Sequence, residues 1–218
     1  MKKQLLSLAL CAFIPPLVHA NAVQSCVDKI VPNDPDYHYE VGRCYNDAGL
    51  LNTALANFER GAGLGESKSL HALAIHLKPS DPERSFKYLK RCADNGDQTC
   101  LSELATYYRE GTGTPKSYEN SARILEQLAL KDPYYYIHLY TDALLEGRFD
   151  EAFEYVKQGA ERKVPFCLMT LADNYENGYD VKQDFNEAIR YYDEACSLGS
   201  DDGCKKAEQL RGEHHPAP

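Results

Sequence analysis

Beyond its first twenty residues this chain has no long apolar run, and it is short of positive charge, with 24 Lys and Arg against 33 Asp and Glu in 218 residues. The first lack excludes a spanning helix later in the chain, which needs roughly 20 apolar residues in succession. The second opposes DNA, RNA and anionic lipid as partners, because their phosphates call for clustered Lys and Arg. Period-two alternation is almost absent, which argues against a sheet-built domain. Motifs for metal and redox chemistry are missing too: there is no C-x-x-C, no H-x3-H and no H-E-x-x-H. The acyl-transfer signatures G-x-S-x-G, and S-x-x-K with S-D-N and K-T-G, do not occur either. His71 and His76 lie five apart, on different faces of a helix, so surface or core histidines are the better reading than a metal pair. GAGLG, Gly61 to Gly65, follows a helical pattern and not a strand, which makes it a helix-ending turn and not a phosphate loop. No catalytic residue, metal or cofactor is expected.

What is present begins with MKKQLLSLALCAFIPPLVHA. Two lysines, a short apolar stretch and the small-residue ending Val18-His19-Ala20 read as a secretory signal peptide over residues 1–20, cut after Ala20. The apolar stretch is too short for a membrane anchor. A lipoprotein reading of Cys11 is weaker still, since Leu10 is too large for that site. The mature chain is therefore expected in a periplasm or outside the cell, with no membrane insertion after cleavage. Loss of Lys2 and Lys3 leaves 22 basic against 33 acidic residues, a net charge of −11, which favours basic partner surfaces.

Ala, Leu, Tyr and Phe recur at spacings of three and four, so the chain reads as all-α. Five stretches share one register. Ala54, Ser85, Ser121, Ala152 and Ala188 open them. Eleven residues later stand Gly65, Gly96, Asp132, Lys163 and Gly199, where a glycine would close the helix with positive φ. Each set follows another helix, and three of these carry a matching trio: Val41, Gly42, Tyr45; Leu104, Ala105, Tyr108; Leu171, Ala172, Tyr175. The unit is a helical hairpin recurring at intervals of 31 to 36 residues, the range of helical solenoids.

LADNYENGYDVKQDFNEAIRYYDEACSLG, Leu171 to Gly199, resembles a Sel-one-like repeat, a relative of the tetratricopeptide repeat with a longer loop inside the hairpin. Gly178, Val181, Asp184, Ala188, Tyr191, Tyr192 and Gly199 fall on that family's marked positions, with Asp180 in place of its second loop glycine. A second stretch, Leu104 to Ala129, keeps Gly111 and Gly113 of such a loop. The resemblance implies a right-handed α-solenoid of about five hairpin repeats over residues 36–211. An N-terminal helix at 21–35, a C-terminal capping helix and a disordered, proline-containing tail at 212–218 complete the expected layout. The cysteine spacing further resembles the Helicobacter cysteine-rich proteins, which are secreted Sel-one-like proteins whose spaced pairs are disulfides joining one repeat to the next.

CADNGDQTC and CSLGSDDGC each place two cysteines eight positions apart. On one straight helix that is about 12 Å, beyond the roughly 7 Å that a disulfide spans between Cα atoms, so a turn must intervene. Gly96 and Gly199 supply it. Zinc site and redox pair remain open on residue type alone, but an oxidising compartment and this spacing favour structural disulfides Cys92–Cys100 and Cys196–Cys204. Cys167 occupies the position of Cys100 but has Gly159 eight residues before it, which marks it as the free thiol of an odd set of seven. Cys26 and Cys44 then pair by elimination.

In arrays of this family the first helix of each hairpin lines a concave face. Carried onto this chain, the positions flanking the trio give Tyr39, Arg43, His71, Arg109, Tyr134, Ile137 and Asp173 as a candidate binding face for a protein or peptide ligand. The expected function is a periplasmic or secreted binding adaptor, in one version an inhibitor or immunity partner of an exported toxin. The cysteine-rich resemblance implies an alternative, penicillin binding with weak β-lactamase activity, for which the chain offers no recognised nucleophile or metal site.

Overall fold

The computed structural model describes residues 16–214, and among them are twelve helices and no strand. The chain divides into two compact units, residues 1–100 and 101–218. The first holds α1 (Pro16–Val27), α2 (Tyr37–Asp47), α3 (Leu51–Leu64), α4 (Ser67–Leu77), α5 (Pro82–Asp94) and the opening of α6 (Gln98–Glu110). The second holds the rest of α6, then α7 (Tyr118–Ala129), α8 (Tyr135–Leu145), α9 (Phe149–Glu161), α10 (Pro165–Asn177), α11 (Phe185–Ser197) and α12 (Asp201–His214). No helix among the described residues is long and apolar enough to cross a membrane.

Several starts follow directly from side chains. Asp81 accepts a hydrogen bond from the backbone N–H of Arg84, with Pro82 at the first helical position; Ser117 accepts from Asn120, and Asp184 from Asn186 and Glu187. Each capping oxygen satisfies a donor that the first helical turn leaves without a partner, a contribution of about 1 kcal/mol. At the other end Gly65, Gly96 and Gly199 take the positive φ that the shared register requires, at 88°, 85° and 94°. Lys163 does the same at φ 62°, a strained choice for a residue with a side chain. Asp132 does not, because Pro133 follows it and holds the preceding backbone extended. Its carboxylate instead accepts from the Tyr134 N–H at 3.0 Å, leading into α8.

The register explains how closely the helices pack. All five opening small residues, Ala54, Ser85, Ser121, Ala152 and Ala188, are at most 1% exposed, because a neighbouring helix lies directly over them. At Gly42 an added Cβ would collide with the Phe58 ring, so α2 can meet α3 only without a side chain there. In the second unit one apolar core gathers Leu125, Leu139, Val156, Leu168 and Leu171, and a smaller one joins Ile189, Tyr192, Ala207 and Leu210. Each such aliphatic side chain contributes roughly 1.5 to 3 kcal/mol by leaving water.

Two boundaries differ from expectation. The N-terminal helix spans Pro16–Val27 and not 21–35, since Pro32 and Pro35 break the following segment into turns. It crosses the expected cleavage point at Ala20, so a processed chain would begin inside α1. The tail expected at 212–218 is helical through His214: the Gln209 amide donates to Glu213 at 2.9 Å, and the His214 ring stacks on Phe185 with centroids 3.7 Å apart. The rest of the expected tail and residues 1–15 of the expected signal peptide lie outside the described residues.

Candidate functional site

The cysteines set how rigidly several of the turns are held. Cys92 and Cys100 are disulfide-bonded across the α5–α6 turn with Cα atoms 5.8 Å apart, and both are fully buried. Cys196 and Cys204 close the α11–α12 turn at 4.7 Å, and Cys26 ties α1 to Cys44 of α2 at 5.9 Å. Asp97 accepts from the Cys100 N–H at 3.0 Å and thereby caps α6. Cys92, Asp97 and Cys100 are the one group of metal-type ligands gathered among the described residues. The disulfide consumes both thiolates that such a site would need.

Residues eight apart across these turns face one another whatever their chemistry. A Cβ on Gly159 would strike the Cys167 sulfur, and one on Gly61 would strike the Ser69 hydroxyl. Cys167 is the free cysteine among the described residues and is fully buried, and burial pushes its thiol up to about 12. A thiol so far from ionising is a poor nucleophile. Glycine at 159 is what makes room for it.

In the first unit three expected face residues come together. Tyr39 and Arg43 of α2 and His71 of α4 line one cleft of about 200 Å³. Phe58 forms its floor, with its ring 5.9 Å from Tyr39 on one side and 5.9 Å from His76 on the other. Ala72 and the half-exposed Ile75 make one wall, and Asn46 and Lys68 complete the rim. Arg43 donates to Glu40 at 2.9 Å and lies 3.6 Å from Asp47; the Glu40 hydrogen bond and charge raise its pKa. Lys68 pairs with Asp36 at 2.8 Å, which raises its pKa likewise, and sits 5.8 Å from the Tyr39 ring centroid. Pairs this exposed are worth about 0 to 1 kcal/mol and exchange readily.

The four expected residues of the second unit do not converge. Arg109 reaches from α6 to Asp142 of α8 at 3.4 Å, and Asp142, fully buried, also accepts from the Ser121 hydroxyl at 2.9 Å. Arg109 therefore holds α6 against α8. Asp173 accepts from the buried Tyr192 hydroxyl, which Glu176 also meets at 2.5 Å, a contact that fastens α11 to α10. Ile137 packs on the apolar core, whereas Tyr134 is 58% exposed at the start of α8.

Lys68, Ala72, Ile75 and His76 of α4 also line the cleft without having been expected on the face; they lie three before, one after, four after and five after His71. Helical spacing alone puts Lys68 and Ile75 on the same face as His71.

The hairpins are of two kinds. Short turns join α2 to α3, α4 to α5 and α8 to α9, whereas residues 111–117 and 178–184 form long loops. Both long loops close in the same way: the Ser117 N–H donates to the Tyr108 carbonyl at 2.7 Å, and the Asp184 N–H to the Tyr175 carbonyl at 2.9 Å. Gly111 and Gly113 take positive φ in the first loop, and Gly178 and Asp180 in the second. The model of the Sel1 repeat matches residues 54–97, 99–133 and 166–200, more than half of the chain. The chain belongs to the Sel1 repeat family. Residues 134–165, between two of the Sel1 matches, contain the short-turned hairpin α8–α9.

Solved Sel1-type structures share the α-solenoid fold. A Sel1 repeat protein from Oxalobacter formigenes is 19% identical with a TM-score of 0.66, over 91% of this chain and 60% of its own. A protective antigen of uropathogenic Escherichia coli, described as displaying an SLR fold, is 19% identical with a TM-score of 0.58, over 83% of this chain and 42% of its own. This chain thus spans less than two thirds of either protein. No curated protein matches it.

Proposed function

We propose that this Sel1 repeat chain is an extracytoplasmic adaptor that binds a protein partner through the first helices of its hairpins. The observation that carries the reading is the convergence of Tyr39, Arg43 and His71 from α2 and α4 on one cleft with an aromatic floor. Tyrosine and arginine are residues on which binding energy concentrates. Two supports bear on compartment. Three disulfides are at home where thiols are not kept reduced, and the first twenty residues have the pattern of a signal peptide cut after Ala20. The repeat organisation supports an array over residues 36–211, with the disulfides holding its turns so that less freedom is lost on binding.

The test is affinity capture by the mature, oxidised chain from the extracytoplasmic fraction of its source organism, with quantitative mass spectrometry and a reduced, alkylated sample beside it. A partner enriched at near-equal amount by the oxidised chain and lost on reduction is expected. Absence of any such partner overturns the reading. If the partner is an exported toxin that the chain silences, the adaptor is an immunity protein.

A further inference from the structure

We infer that the α2–α4 cleft receives the C-terminal residue of a partner protein, its apolar side chain on the Phe58 floor and its terminal carboxylate on Arg43 and Lys68. The inference rests on the protein-binding reading and names what one part of the surface binds. Arg43, Asn46, Lys68, His71 and His76, all with nitrogen-bearing side chains, line the cleft, and no carboxylate among the described residues does. The lining itself thus carries two positive charges and no negative one, in a chain with a net charge of −9, and the carboxylates that balance them stand outside it. Glu40, Asp47 and Asp36 engage Arg43 and Lys68 but are not part of the lining, so both cations are held at the rim before a ligand arrives. Arg43 Nε and Nη2 already donate to Glu40 and Nη1 lies 3.6 Å from Asp47, so a ligand carboxylate takes the Nη1–Nη2 edge, displaces the Asp47 contact and forms there the paired, charge-assisted hydrogen bonds for which that fork is shaped.

Size selects the occupant. About 200 Å³ equals the volume of roughly seven water molecules at ~30 Å³ each. That suits a single residue and falls short of the roughly 300 to 1,000 Å³ typical of small-molecule sites. Geometry then separates a chain end from an internal acidic residue. Along an extended peptide successive side chains point to opposite sides, so an internal carboxylate and its apolar neighbour cannot both enter one small cleft. A C-terminal residue carries its side chain and its carboxylate on the same carbon.

The test uses the full mature chain and fluorescein-labelled Gly-Ser-Gly-Ser-Leu and Gly-Ser-Gly-Ser-Phe, each as free acid and as C-terminal amide, followed by fluorescence anisotropy. The free acids are expected to bind at least about tenfold more tightly than the amides, the factor that corresponds to about 1.4 kcal/mol. Arg43→Gln should cost a similar factor. Ala72→Trp, which fills the cleft, and Ile75→Glu, which puts a carboxylate at its exposed rim, should abolish binding, whereas Lys182→Gln in the other unit should leave it unchanged. Circular dichroism of each variant separates misfolding from loss of the pocket. Equal binding of acid and amide, binding that survives Ile75→Glu in a folded protein, or no binding of either acid overturns the inference. A natural partner still captured by Ala72→Trp removes the pocket and leaves the adaptor reading standing; loss of all capture by the wild-type chain removes the reading itself.

Discussion

Glu66 at the α3–α4 turn should be among the costliest single residues to neutralise. Its side chain is 7% exposed. One carboxylate oxygen accepts from the Tyr39 N–H at 3.2 Å and the Ser69 hydroxyl at 2.7 Å; the other accepts from the His38 N–H at 3.4 Å and meets the His38 ring nitrogen at 2.9 Å. These donors include two backbone N–H groups at the start of α2, so a residue 27 positions later in sequence caps that helix. Burial alone would raise the pKa of Glu66, but the hydrogen bonds from Ser69 and His38 outweigh it and the net shift is downward. Glu66→Gln keeps the shape and one acceptor oxygen. Its amide N–H₂ must then face a backbone N–H on the other side, which loses its acceptor even if the Ser69 hydroxyl or the His38 ring nitrogen turns to accept from the amide. Hydrogen bonds to a charged group contribute about 1.5 to 3 kcal/mol, and a buried donor left unmatched costs about 1 to 3, so the variant should lose roughly 2 to 4 kcal/mol at pH 7.

Urea denaturation followed by circular dichroism measures this, and pH supplies the second arm. A carboxylate whose pKa is lower folded than unfolded adds stability that is fully present above the unfolded value, here the ordinary 4.5. The contribution fades as pH falls below that value toward the depressed folded one. Wild type and Glu66→Gln should therefore differ most at neutral pH and converge in acid. A difference below about 0.5 kcal/mol at pH 7, or one that widens as pH falls from 5 to 3, would refute the capping argument.

Three further outcomes follow from the cysteine geometry and from α12. Titration of the unreduced native chain should find no fast-reacting thiol, because Cys167 is buried and held near 12, and one thiol per mature chain after unfolding; seven would remove the disulfides altogether. Gly159→Cys should close a new eight-residue loop with Cys167, abolish that thiol and add about 2.5 kcal/mol of stability, read as a higher urea midpoint in the oxidised protein; a midpoint that falls would show that the α9–α10 turn cannot bring the sulfurs together. Gly203→Ala should cost about 1 to 3 kcal/mol by overpacking, since the added Cβ would sit 2.8 Å from the Tyr192 carbonyl oxygen; an unchanged melting profile would mean that α12 shifts freely.

What could be read in advance was what repeats. The five buried small positions, the glycines at positive φ and the two kinds of hairpin all belong to a register that recurs along the chain. Repetition turns a weak local signal into a strong one. The binding face was less legible, because carrying positions over by register says which side of a helix a residue occupies and not what waits opposite it. Arg109 and Asp173 occupy face positions, yet Asp142 and Tyr192 claim them: Asp142 lies outside the pattern, and Tyr192 falls on a repeat position that marks its ring for the core but says nothing of where its hydroxyl goes. Glu66 escaped entirely: it sits in a turn, outside every repeated position, and acts on residues that only the packed hairpins bring near.

The eight-residue spacing shows the same division between what a backbone fixes and what side chains decide. Across the α5–α6 turn it holds a disulfide; across α9–α10 it holds a glycine and a thiol; across α3–α4 it holds a glycine and the Ser69 hydroxyl that supports Glu66. One turn geometry brings the pair together each time, and the residues then settle whether the contact is covalent, apolar or polar. Cys167 therefore lacks a bonding partner because the position opposite it, where Cys100 has Cys92, is Gly159. A contact that needs one substitution to become a disulfide is also one that tolerates its absence. The apolar packing of α9 on α10, through Val156, Val164 and Leu168, already holds that turn where the staple would.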